Sequence, residues 1–155
     1  MSLKFVILGS VSSMVVPRAD GYSVNCDLKN KNNFRTRCSA IIKFNDQNIL
    51  IDTSPDLRSQ LLKNKIRTIS KVFYTHLHAD QTHGINDLRP FFLINKKQIP
   101  VYADTSTKKY LLSTFRYCFK SSYGYPSTLN INSLKKHHRI TNKNKKIKIE
   151  SIPVE

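Results

Sequence analysis

Three of the chain's five histidines, His76, His78 and His83, fall within eight residues, in the run Thr75-His76-Leu77-His78-Ala79-Asp80-Gln81-Thr82-His83-Gly84. Neutral imidazoles and a carboxylate are donors that suit zinc and similar divalent ions. On an extended backbone, residues two apart share one side. His76 and His78 can therefore approach a single ion, with Asp80 close behind. The plainer alternative is a polar surface turn that happens to hold three histidines.

The elements that must hold this run can be read around it. Lys71 to Tyr74 is a short β-rich segment, so the histidines would be presented at a strand end. Leu3 to Leu8 reads as a buried first strand, followed by a Ser-rich loop, and Tyr22 to Asn33 as a polar surface loop. Ser39 to Phe44 and Asn48 to Ile51, split by Asn45, Asp46 and Gln47, predict a hairpin. Asp52, Thr53 and Ser54 before Pro55 offer a helix cap, and Leu57, Leu61 and Leu62 a helical stripe. Ile85 to Ile94 has helical spacing despite Pro90, and Ile99 to Tyr102 predicts a strand. A helix capped by Asp104 or Thr105 runs through Leu111 and Phe115, and Ile147, Ile149 and Ile152 suggest a last strand. Interleaved strands and helices make the class α/β or α+β.

Composition sets the outer bounds. At 155 residues and 39% hydrophobic content, the chain has the length of one domain with a real core. Twenty-six Lys+Arg against 10 Asp+Glu give a formal charge of +16. That balance fits an anionic partner such as nucleic acid. The charge is scattered, however, and matches a Lys-, Asn- and Ile-rich usage along the whole chain, so nucleic acid is possible but not indicated. Cys26, Cys38 and Cys118 are an odd number without a C-x-x-C pair, which predicts neither a cysteine zinc site nor a disulfide framework. A reducing cytoplasm is the simplest setting. Phe5 to Val16 after Lys4 has some look of a signal peptide, but Gly9, Ser10, Ser12 and Ser13 interrupt it. No run reaches the roughly 18 apolar residues of a membrane span.

The histidine run resembles the H-x-H-x-D-H signature of the metallo-β-lactamase superfamily, with Gln81 at the place of its last histidine. Leu8 to Arg18 resembles the L-G-S-G-S-S-x-G-V-P-R loop of a phosphodiesterase-like subgroup, Arg35 to Ser39 its R-T-R-C-S, and Leu50 to Arg58 its L-I-D-T-S-P-D-L-R. Ile85 to Phe91 resembles its I-D-D-L-R-P-F, with Asn86 for the first Asp, and Tyr117 to Phe119 and Gly124 to Pro126 its Y-C-F and G-Y-P. The subgroup is similar to the cyclic phosphodiesterase of phosphonate degradation and, more distantly, to ribonuclease Z. The resemblance implies a four-layer αββα sandwich with a two-metal cleft, zinc or manganese, acting on a phosphate ester. It places His76 and His78 on the first metal and Asp80 on the second, where Asp80 also orients or takes a proton from the attacking water. Asp52 would brace the ligand loop by hydrogen bonding.

Departures from the pattern limit what is expected. Gln81 replaces an imidazole, and His83 is no substitute because relatives carry a histidine there too. Val11, Met14 and Val15 stand where the pattern has glycines, which predicts a rearranged or strained loop. The resemblance also implies that residues 1–155 form a partial domain, the N-terminal half of the sandwich, ending before a His-Gly pair, a bridging Asp and a final His. His137 and His138 do not fit that missing position. A catalytic zinc takes about three protein ligands, so at most one weakly bound metal is expected, no residue is assigned as catalytic, and the substrate is left open. The expectation is a truncated hydrolase, inactive alone, that self-associates or needs a separate C-terminal half. The rival expectations are a non-enzymatic basic module binding RNA or another anion through Lys135 to Lys148, and a functionless product of a degraded gene.

Overall fold

The computed structural model describes residues 2–22 and 26–154, so Ser23, Val24 and Asn25 of the expected surface loop, and Glu155 of the expected last strand, lie outside the described residues. Six strands form one mixed sheet: β1 (Leu3–Gly9), β2 (Ser39–Phe44), β3 (Gln47–Ile51), β4 (Lys71–Phe73), β5 (Ile99–Ala103) and β6 (Leu129–Ser133), in that spatial order. β1, β2 and β3 pair antiparallel, whereas β3 through β6 run parallel. Parallel neighbours need crossover connections. Here α1 (Leu57–Lys63) makes the first, α2 (Ala79–Thr82) and α3 (Arg89–Asn95) the second, α4 (Thr105–Thr114) and α5 (Arg116–Phe119) the third. A separate hairpin, β7 (His137–Asn142) and β8 (Lys145–Glu150), follows.

Side chains alternate across a sheet, and the two faces bury different things. Leu50, Val72 and Val101 are cross-strand neighbours that join Leu57, Leu61, Phe91, Leu111 and Phe115 of the helices in the main core. Ile49 and Phe73 face the other way, with Phe44, against Ile140, Ile147 and Ile149 of the hairpin. Each large apolar side chain buried this way contributes roughly 1.5–3 kcal/mol. The result is a helical layer, a six-stranded sheet and the beginning of a second β layer. This mixed architecture is of the α/β class that the sequence predicts.

Several local expectations need correction. β1 is a strand but not a buried one: Leu3, Phe5 and Ile7 are 50%, 64% and 64% exposed. It pairs only with β2, at the sheet edge, and the hairpin cluster lies over β2, β3 and β4 instead. The cap of α1 is Asp56, because Asp52 and Thr53 are engaged elsewhere, and Leu62 of the supposed stripe is exposed. Ile85–Leu88 is a 3-10 turn leading into α3, which puts Pro90 in the first turn, where its missing N–H is harmless. β8 starts at Lys145 and ends at Glu150, leaving Ile152 exposed. The basic stretch is thus a folded hairpin. Sequence reading missed β6, although Leu129 and Ile131 alternate with Asn130 and Asn132. Among the described residues no helix is long and apolar enough to cross a membrane.

Candidate metal site at the end of β4

The floor of the site is the turn that follows β3. Thr53 donates its N–H to the Gln81 carbonyl at 2.7 Å, and its carbonyl accepts from Gly84 at 2.9 Å. Thr53 Oγ1 also lies 2.7 Å from the hydroxyl of fully buried Tyr74. These bonds bind both ends of the histidine run to one turn. Gly84 is required there, because a Cβ would meet the Ser54 carbonyl oxygen at 1.9 Å.

Asp52 holds the residue that precedes His76. Its carboxylate accepts from the Thr75 N–H and from Thr75 Oγ1, both at 2.8 Å. It is only 5% exposed. Burial pushes its pKa from 3.8 up to about 6, with the Thr75 hydrogen bonds opposing the rise and the charge of Asp80 adding to it. Since Thr75 Oγ1 gives its proton to Asp52, it can only accept from His76 Nδ1, 3.0 Å away. That contact assigns the proton of His76 to Nδ1 and leaves the Nε2 lone pair free.

His76 Nε2 faces His78 Nδ1 at 3.1 Å, with the rings 4.7 Å apart and nearly perpendicular. Both side chains are exposed. Two imidazole nitrogens on one tetrahedral zinc, with Zn–N near 2.05 Å, lie about 3.3 Å apart. The pair therefore fits a shared ion.

Asp80 does not join them. The chain turns into α2 at Ala79, with His78 as its cap, and this carries Asp80 to the amide of Gln81. Gln81 Nε2 donates to Asp80 Oδ2 at 3.0 Å and to Cys38 Sγ at 3.1 Å. Gln81 is 4% exposed, and its Oε1 has no partner. Among the described residues no three His, Cys, Asp or Glu side chains converge to hold one metal ion. His83 turns toward Phe115. His138 packs on Phe73 and Tyr102 and accepts from the Lys135 N–H at 2.9 Å, well away from the pair in role. A cleft of about 770 Å³ opens beside Thr75 and His76, walled by Leu134, Lys136 and residues 151–154.

The altered loop before Arg18 is strained at one place. Val15 has φ +56°, in the left-handed region, while Val11 instead bridges to Arg37. Arg37 ties the loop down, donating to the Ser13 carbonyl and pairing with Asp56 at 3.1 Å. Thr75, Thr53 and Cys38 escaped the sequence reading. Thr75 stood beside the signature, but its part depends on a contact across 23 residues.

Comparison with known proteins places these features. Residues 47–155 match the family model described as a beta-lactamase superfamily domain. The structure superposes on the crystal structure of a diphosphatase from the PhnP family with TM-score 0.77 and 29% identity, covering 94% of this chain and 55% of that one. Zinc-bound PqqB from Methylobacterium extorquens (TM-score 0.70, 18% identity, 90% of this chain and 51% of that one) and the human short-form tRNase Z (0.57, 17%, 83% and 42%) share the fold. The chain is also 32% identical over 127 residues to an octanoyltransferase of Porphyromonas gingivalis (strain ATCC BAA-308 / W83), covering 81% of this chain and 25% of that protein. It thus spans about half the length of the structures it matches, and a quarter of that curated relative.

Proposed function

This chain belongs to the β-lactamase superfamily, and from that premise we propose that it carries part of the metal centre of a phosphoester hydrolase. The observation that carries the reading is the 3.1 Å approach of His76 Nε2 to His78 Nδ1, with the first nitrogen aimed by Asp52 through Thr75. The likeness to a PhnP-family diphosphatase supports a phosphate-ester or phosphoanhydride substrate. A zinc or manganese ion held by the pair would activate water and neutralise charge on phosphoryl oxygens. The residues of this chain do the rest. Asp52 and Thr75 keep the proton of His76 on Nδ1, a bracing role of the kind that carboxylates play behind metal-bound histidines. Asp80, one turn further on and bonded to the Gln81 amide, would be a carboxylate to orient the attacking water and take its proton.

The donor count sets the limit. A catalytic zinc takes about three protein ligands, and His76 and His78 supply two. The described residues therefore bind one ion weakly, and turnover needs a donor from a second chain, a second copy or residues outside those described. The free thiols of Cys26, Cys38 and Cys118 suit a reducing, cytoplasmic setting.

Isothermal titration with zinc, beside a bis-p-nitrophenyl phosphate assay, tests the reading. Zinc should bind weakly, more tightly as pH rises, because only neutral imidazole is a ligand. A His76→Ala, His78→Ala variant should lose it, and neither protein alone should hydrolyse the ester. Zinc binding untouched in the double variant would refute the assignment.

A further inference from the structure

The β7–β8 hairpin sorts its residues by face. Ile140, Ile147 and Ile149 pack onto the sheet. The register opposes Arg139 to Lys148 and Thr141 to Lys146, and all four point outward. Lys143 and Lys145 crowd the tip. Like charges directly opposed across a sheet are destabilising, and the Arg139–Lys148 pair is of that kind. Within the hairpin Glu150 is the one carboxylate, 3.1 Å from Lys148 and 3.8 Å from His137. Asp46, on the neighbouring β2–β3 turn, is bonded to Asn142. The charge that looks scattered along the sequence is, at this element, a cationic face on a rigid support. Its base continues to the site, since Lys136 walls the same cleft as His76, together with one carboxylate, Asp104.

We propose that this outer face binds the phosphodiester backbone of a nucleic-acid strand and leads it toward His76. The substrate class of the site is then a nucleic-acid phosphodiester and not a small phosphate ester. The binding half of the proposal stands on the hairpin alone, whereas the substrate assignment rests on the hydrolase reading above. An anchored two-stranded ribbon with alternating basic side chains suits a repeating anion. Recognition would be through charge, with little base preference.

The test is fluorescence anisotropy with labelled RNA and DNA strands of about 12 nucleotides, in EDTA so that no metal takes part. The hairpin variant is Arg139→Gln, Lys146→Gln, Lys148→Gln. The control is Lys63→Gln, Lys65→Gln, Arg67→Gln on exposed positions at the end of α1, which removes the same formal charge. Each lost phosphate contact lowers the log–log salt slope by about 0.7 for single strands. The hairpin variant should therefore lose about two units of slope and roughly a hundredfold in affinity at 0.1 M salt, while the control stays near wild type. Equal losses in the two variants, or binding indifferent to salt, would overturn the proposal. So would loss of phosphatidylserine-vesicle binding in the hairpin variant with strand binding intact. The bound strand should also slow carbethoxylation of His76, read by mass spectrometry. An unprotected His76 would overturn the path to the cleft. Because strand binding is read in EDTA, a wild type that fails to bind zinc would sink the hydrolase reading and leave the hairpin's role standing.

Discussion

Replacing Asp52 with Asn separates the charge of this side chain from its hydrogen bonds. Asn Oδ1 can accept from the Thr75 N–H, and its Nδ2 can donate to Thr75 Oγ1, so both 2.8 Å contacts can still form, the second with its direction reversed. What disappears is a buried ionisation. Asp52 titrates near 6 in the folded chain against 3.8 as a free side chain, chiefly through burial. A folded pKa above the unfolded one means that the folded state holds the extra proton between those values. Wild-type stability must then fall as pH rises through that window, by at most about 1.4 kcal/mol per pH unit. Across the whole interval of 2.2 units, from 3.8 to about 6, the loss comes to about 3 kcal/mol. The Asn variant lacks this loss. Metal-free urea melts of both proteins at a series of pH values between 3.5 and 7.5, roughly spanning the interval, should show the variant gaining about 3 kcal/mol on wild type. For a chain of this size the same gain is about 6–12 °C in melting temperature. A stability difference that stays flat with pH would refute the reasoning. A difference of opposite sign would show Asp52 to be a stabilised carboxylate, its Thr75 bonds outweighing its burial.

Three further outcomes follow from other parts of the molecule. Val15→Gly removes a β-branched residue from φ +56°, a conformation costing roughly 1–2 kcal/mol, against a smaller entropic loss for glycine. Thermal melts should show a net gain of about 1 kcal/mol, and a lower melting temperature would mean that Val15 packing matters more than its backbone. Phe5→Thr with Ile7→Thr keeps strand propensity while removing two exposed apolar side chains from the edge strand. Light scattering should show wild-type association that the variant reduces several-fold, and a wild type already monomeric would contradict this. Gln81→His replaces a buried amide with an unpartnered oxygen by an imidazole. Zinc affinity should rise roughly tenfold, the lower range of what a metal-site neighbour contributes, and an unchanged Kd would mean that position 81 does not reach the ion.

What could be read from the sequence was local. The β2–β3 hairpin stands because its turn cluster and apolar runs are contiguous, and the α4 cap stands because Asp104 receives the N–H groups of Ser106 and Thr107 within its own turn. Errors arose where distant residues competed. Asp52 and Thr53 have the composition of a helix cap, yet Thr75, Tyr74 and Gln81 claim them from across the sheet. Leu3, Phe5 and Ile7 look like core, and only the strand order shows them at an edge that the hairpin leaves bare. The facing of the basic residues on β7 and β8 depends likewise on a register that no run of lysines announces.

The histidine pair makes the same point about function. Its spacing is visible in the sequence, but its usefulness as a donor pair is fixed by a proton. That proton sits on His76 Nδ1 because Thr75 Oγ1 is already committed to Asp52, and Thr75 meets Asp52 only because β3 and β4 run parallel in this register. Position 81 shows the opposite balance. Its amide links Cys38 to Asp80 and leaves one buried oxygen unsatisfied, a defect costing roughly 1–3 kcal/mol. An apolar side chain would avoid that cost if packing were all the position had to provide. The His76–His78 pair is thus held by a complete hydrogen-bond chain, while position 81 is occupied by a polar group without a full set of partners.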